Sequence, residues 1–162
     1  MTHSRRLLLI AAAFVVATCA VQPARATEPP ADLCSLLPAA EVSKTLGRTY
    51  GAPEKSVAPR PYANTAEGTD CNYLAKESKL WFRAYVDPSP SAAAELFAKL
   101  SKFYRTQAPV SGLGDEAYFD AQHGLHVRKG KVRFYLNLEP MDFTPAIEKQ
   151  LKDLASRVAG QL

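Results

Sequence analysis

The sequence predicts an α+β domain built on a mainly antiparallel sheet, and three observations support this. Two stretches, 70–86 and 116–138, alternate apolar and polar residues with a period of two and are interrupted by tight-turn signals. Three other segments carry apolar residues at helical spacing behind capping residues. Strands follow one another with no helix between them, which favours antiparallel neighbours over crossover units. The expected order is α-ββ-α-βββ-α, a five-stranded sheet with helices on one face. At 162 residues there is room for one cored domain and not for two.

The first 26 residues read as an address. Arg5 and Arg6 precede a run from Leu7 to Val21 that is apolar apart from Thr18, and Ala24-Arg25-Ala26 closes it in the small-x-small pattern of a signal-peptidase site. The expected mature chain therefore starts at Thr27, with 27–162 forming the domain. The run is too short for a permanent anchor, which takes roughly 20 apolar residues. The competing reading is a lipoprotein with its lipid on Cys19, although Thr18 is a poor residue to precede such a site. Of 20 Lys+Arg, loss of Arg5, Arg6 and Arg25 leaves 17 against 16 Asp+Glu, a net of +1. That balance argues against a nucleic-acid partner, which requires a clustered basic excess.

Removal of the leader leaves Cys34 and Cys71. In an exported chain an even count reads as a disulfide, here with one possible pairing, against the alternative of two buried thiols. The bridge would contribute about 4 kcal/mol on the loop-entropy model.

Along the mature chain, Asp32 can cap a short turn through Leu37, and Pro38 can open a helix ending at Gly47. Residues 48–69 show neither period and carry Gly51, Pro53, Pro59, Pro61 and Gly68, so they read as one long loop. A hairpin follows: Cys71, Tyr73 and Ala75, then a turn near Glu77-Ser78, then Leu80, Phe82, Ala84 and Val86 on one side. Pro90 starts a helix with the stripe Ala93, Leu96, Phe97, Leu100 and Tyr104. Glu116 to Phe119 reads as a short strand, and 125–128 with 131–138 as a hairpin about Lys129-Gly130. Thr144 caps a last helix with Ile147, Leu151, Leu154 and Val158 on one face, stopping near Gly160.

The order Cys34-Ser-Leu-Leu-Pro-Ala-Ala-Glu41 through Gly47, then Cys71-Asn-Tyr73, then Val110-Ser-Gly112-Leu-Gly114-Asp115-Glu-Ala-Tyr118, then the Leu125 to Val132 hairpin resembles small exported bacterial domains. These include lipoprotein domains and the extracellular sensor domains of some receptor kinases. The resemblance implies a disulfide from the first helix to the first strand and a sensing or ligand-binding role without catalysis. It supplies no set of functional residues. The sequence departs from receptor-kinase examples in carrying no kinase and no membrane span.

Chemistry-bearing patterns are sparse. Outside the leader only His123 and His126 are histidines, and with Asp120 they could form a metal site, against a reading as a turn histidine and a solvated strand histidine. No Gly-x-Ser-x-Gly elbow is present. Asp115-Glu116 are adjacent, so within a strand their side chains diverge unless the turn bends them. Gly112-Leu113-Gly114 lacks the lysine of a phosphate loop. The sequence therefore predicts no enzyme, no cofactor and no bound metal.

What remains is a surface. If Leu80, Phe82, Ala84, Val132, Phe134 and Leu136 face the helices, then Trp81, Arg83, Tyr85, His126, Arg128, Arg133 and Tyr135 occupy the open side of the sheet. Aromatics interleaved with arginines suit a small ligand, an envelope glycan or a protein partner. The first expectation is a periplasmic or secreted, non-enzymatic binding or sensor-like module. The second is a periplasmic inhibitor or immunity-type protein that inserts the 48–69 loop into a partner enzyme.

Overall fold

The computed structural model describes residues 28–140 and 142–162, so the leader and Cys19 lie outside the described residues. A 3-10 turn, Leu33–Leu36, is capped by Asp32, whose side chain accepts from the Cys34 amide. Helix α1, Ala39–Leu46, follows and ends at Gly47. Strands β1 (Glu54–Ala58), β2 (Gly68–Ala75) and β3 (Ser78–Val86) lead to α2 (Pro90–Phe103). Strands β4 (Ala108–Pro109), β5 (Glu116–Phe119), β6 (Leu125–Lys129) and β7 (Val132–Glu139) precede α3 (Pro145–Ala159). Ser89 and Thr144 cap α2 and α3 through their hydroxyls, each with proline opening the helix.

All strands join one antiparallel sheet of seven, in the order β1-β2-β3-β7-β6-β5-β4. Five strands were expected, and the order α-ββ-α-βββ-α is corrected by the addition of a strand at each edge. Residues 48–69 are not one loop, because β1 pairs with β2 from Glu54↔Asn72 to Ala58↔Gly68. Residues 48–53 and 59–67 remain irregular there. β1 escapes a search for periodicity because four of its five residues are exposed; ladder hydrogen bonds hold it, not burial. β4 is two residues long and carries Pro109, which blunts the opposite edge.

The main core lies on one face. Tyr73, Leu80, Phe82, Leu125, Val127 and Leu136 point there and are fully buried beneath α1, α3 and the 3-10 turn. Phe82 and Phe134 meet edge to face, 6.0 Å between centroids. Cys34 and Cys71 form a disulfide with Cα atoms 5.7 Å apart, tying the 3-10 turn to the middle of β2. The Tyr73 hydroxyl donates to the Leu37 carbonyl in the same corner, and Gln161 Nε2 donates to the Leu36 carbonyl at 2.8 Å. We call this the disulfide face.

The expectation of helices on one face only is also corrected. The stripe Ala93, Leu96, Phe97 and Leu100 is buried but takes no part in the main core. Instead Phe97 packs on Tyr118, 5.0 Å between ring centroids. Tyr118 pairs with His126, which pairs with Tyr135, so all three point away from the disulfide. Helix α2 therefore lies across the second face. Periodicity marks a helix as amphipathic but does not say which of two half-apolar sheet faces its stripe will cover.

Candidate functional site

The ladder register places Trp81, Arg83 and Tyr85 of β3, Arg133 and Tyr135 of β7, and His126 and Arg128 of β6 on the same second face. That face is not open. Tyr85 and Arg133 are 7% and 4% exposed, since α2 and the start of the 59–67 segment roof them. The roof and the sheet bound a cavity of about 230 Å³, partly open to solvent, whose walls include Arg83, Tyr85, His126, Arg133 and Tyr135 from the sheet. Phe97, Leu100 and Tyr104 close it from α2, with Pro61, Asp120 and Gln122 from loops. Five of the seven sequence-predicted residues thus converge. Trp81 and Arg128 stand outside: Lys79 Nζ covers the Trp81 ring at 3.5 Å, and Arg128 bonds Glu116 at 2.7 Å and Asp115 at 2.9 Å. The turn bends Asp115 toward Glu116, so this adjacent pair converges on one guanidinium.

Every buried charged residue among those described, Asp70, Asp87, Asp120 and Arg133, belongs to this side of the sheet. Arg83 reaches Asp70 through Nε and Nη2 at 2.6 and 2.9 Å. Arg133 reaches Asp87 in the same way at 2.5 and 3.0 Å, and its guanidinium lies 4.9 Å over the Tyr85 ring. Two-point pairing of this kind fixes a guanidinium plane as well as its position. Burial raises the Tyr85 hydroxyl above its ordinary pKa, and that hydroxyl donates to the Pro59 carbonyl at 2.9 Å. The arginines therefore stand on buried carboxylates, and Tyr85 ties the sheet to the roof.

His126 sits among three tyrosine rings: Tyr118 at 4.7 Å, Tyr104 at 5.1 Å and Tyr135 at 4.6 Å. Its Nε2 lies 2.8 Å from Asp120 Oδ2, while Oδ1 accepts from the Gln122 and Gly124 amides. Burial depresses the His126 pKa below its ordinary value, against the opposing pull of Asp120. Burial acts to raise the Asp120 carboxyl, but the hydrogen bonds from His126 and the two amides outweigh it and leave it lowered. A neutral imidazole beside a carboxylate follows, with Nε2 as the donor. Burial pushes Tyr135 up to about 12, against the opposing effect of the hydrogen bond it accepts from Asn137 Nδ2 at 2.7 Å.

His123 goes elsewhere. Its ring stacks on Phe143 at 4.2 Å, so the two histidines do not converge with Asp120. Among the described residues no three His, Cys, Asp or Glu side chains cluster as metal ligands.

Two glycines shape the walls. A Cβ on Gly124 would lie 2.1 Å from the Tyr135 ring, and one on Gly68 would lie 2.6 Å from the Tyr85 ring. Sequence reasoning read Gly68 only as loop punctuation. It also missed Asp70 and Asp87 as supports of the arginines, and it assigned Tyr104 to a core stripe. Position 70 alternates with Cys71 and so shares the side of Asn72 and Arg83, a signal that was available.

Fold and site together define a disulfide-stapled α+β domain with a small polar and aromatic cavity on the sheet face opposite the staple. The crystal structure of the extracellular domain of PknH from Mycobacterium tuberculosis has a similar fold. TM-score is 0.55 at 14% identity, over 83% of this chain and 97% of that one. No family model matches this sequence, and no curated protein is similar to it. Among the described residues no helix is long and apolar enough to cross a membrane.

Proposed function

We propose that the protein is an exported, non-enzymatic, sensor-like module that binds a small ligand in the cavity between α2 and the second face of the sheet. The observation that carries this reading is the convergence of Arg83, Tyr85, His126, Arg133 and Tyr135 on one cavity roofed by α2. Bidentately held arginines, Arg133 buried and Arg83 half-buried, and glycine-cradled tyrosines form a preorganised polar lining, the arrangement that gives a small-molecule site its specificity. A volume of about 230 Å³ lies below the roughly 300–1,000 Å³ of pockets for drug-sized ligands, which points to a compact metabolite. Because α2 covers the face, a small ligand fits better than an extended glycan.

Three features support a role without catalysis. His126 is the one imidazole on the cavity wall, and its partner Asp120 already has both oxygens engaged. Cys34 and Cys71 are joined, so neither offers a thiolate. No serine or threonine appears on the cavity wall to act as a nucleophile. Export is supported by the disulfide, by the leader pattern, and by the likeness in fold to an extracellular domain.

The test is a fragment titration of the oxidised protein followed by amide NMR. Shifts should cluster at the cavity residues; Tyr104→Ala should weaken them and Trp81→Ala should leave them. Shifts that ignore the cavity, or that vanish with Trp81→Ala and survive Tyr104→Ala, would return the argument to a surface platform.

A further inference from the structure

The cavity's lining is unbalanced in hydrogen-bonding capacity. Asp120 has its oxygens taken by His126 and two amides, and Asp70 and Asp87 are each occupied by a guanidinium. Arg83 and Arg133 use Nε and Nη2, and Nη1 of each makes no hydrogen bond among the described residues. The Tyr135 oxygen accepts from Asn137, which leaves its own proton without an acceptor. Tyr104 likewise has a hydroxyl with no bond among the described residues, and its ring stacks on His126 at the cavity wall. Against these donors stand His126 Nδ1 and the amide of Gln122, which offers both kinds of group. The surplus is of donors.

Charge narrows the ligand further. Each guanidinium is partnered by a buried carboxylate, and Asp120 beside the neutral His126 adds a third, so the groups around the cavity sum to one net negative charge and what the arginines offer a ligand is directed donors. A phosphate dianion would add two further negative charges there and a carboxylate only one, while an ammonium brings only donors to a lining that already has a surplus of them. Arg83 pairs with Tyr135 and Arg133 with Tyr85, which makes the two arginines diagonal neighbours, roughly 7–8 Å apart at Cα. One carboxylate can lie between them. The remaining walls are Pro61, Tyr85, Phe97, Leu100, Tyr104 and Phe134, flat or apolar surfaces.

We propose that the cavity takes a small planar carboxylate, its two oxygens received by Nη1 of Arg83 and Nη1 of Arg133 and its unsaturated body laid against the tyrosines. This inference rests on reading the cavity as the ligand site and names the ligand's chemical class.

Benzoate, benzamide, benzylamine and inorganic phosphate, titrated separately into the oxidised protein, provide the test. Benzoate should bind saturably, shifting the Arg83 and Arg133 Nε–H signals and the Gly124 amide. Benzamide should bind at least tenfold more weakly, and benzylamine and phosphate should leave those signals unmoved. The paired variant Arg83→Gln/Asp70→Asn removes the cation without stranding its partner, and it should erase the preference for benzoate over benzamide while amide dispersion stays native. Equal binding of benzamide or benzylamine, or an undiminished preference in that variant, overturns the proposal. If neutral fragments shift the cavity residues and carboxylates do not, the ligand class falls and the binding module stands. If nothing shifts them, both fall.

Discussion

The two faces of this one sheet are held by different physics. The disulfide face is apolar and covalently stapled: Phe82, Leu80, Tyr73 and Leu136 are fully buried against α1 and α3, and Cys71 anchors the 3-10 turn among them. The arginine face, on the same strands one residue out of phase, contains all the buried charges among the described residues and relies on matched pairs. It also carries buried polar atoms without partners among those residues, on Asn72, Trp81, Tyr118 and Asn137. A domain that needed only stability would not build its second face this way, because buried ion pairs do little better than apolar residues of the same shape. The disulfide face accounts for the fold, and the arginine face holds groups in fixed positions.

Substitutions should separate the two faces. Phe82→Ala removes a fully buried ring from the disulfide face and should cost about 4–5 kcal/mol in urea unfolding, near the upper end for such truncations. No second change on that face should restore it, since a cavity has no partner to remove. On the arginine face, Arg133→Met should cost about 3 kcal/mol by stranding Asp87, which is 4% exposed. There the pair Arg133→Met/Asp87→Asn should recover most of the loss, and a double-mutant cycle reads the coupling directly. Failure of that recovery would mean that packing, not charge, holds the second face.

Gly124→Ala probes the wall itself. The new methyl meets the Tyr135 ring at 2.1 Å, so the ring or the turn must move, at about 1–3 kcal/mol by thermal melting. The larger consequence should be the loss of fragment shifts at Tyr135 and Gln122. A variant that kept them would show that Tyr135 is not a fixed wall.

The smallest effect is in pH. His126 has its folded pKa depressed below 6.5, so the unfolded chain takes up a proton that the folded chain refuses. Stability should therefore be complete above about pH 6.5 and decline as pH falls below it, until the folded-state value is reached. Asp120, also depressed, contributes stability that is lost only below its ordinary 3.8, so its window opens at a lower pH than that of His126. Guanidinium titrations at pH 7.5 and 5.5 should show the decline. His126→Gln, which keeps a donor for Asp120, should flatten it; an unchanged decline would move its cause to another group.

Much of this architecture was legible before any coordinates. Alternation assigned residues 80–86 of β3 and 132–136 of β7 to their faces, and the capped apolar stripes located α2 and α3, because side-chain period and end chemistry are local properties. The cysteine pair was legible because the two thiols that follow the leader pattern have one way to join. β1 and β4 were not: Glu54–Ala58 is exposed along four of its five residues, and Ala108–Pro109 is too short to show a period.

What the sequence by itself determined is which residues share a face of the sheet and where the helices begin. The tertiary structure alone decided that α2 crosses to the second face, so that the arginines and tyrosines line a roofed cavity and not a bare sheet surface. The reason is physical. Period two and period 3.6 follow from backbone geometry within each segment, whereas the placement of α2 depends on the fit of Phe97 against Tyr118 on a strand 21 residues later in the chain.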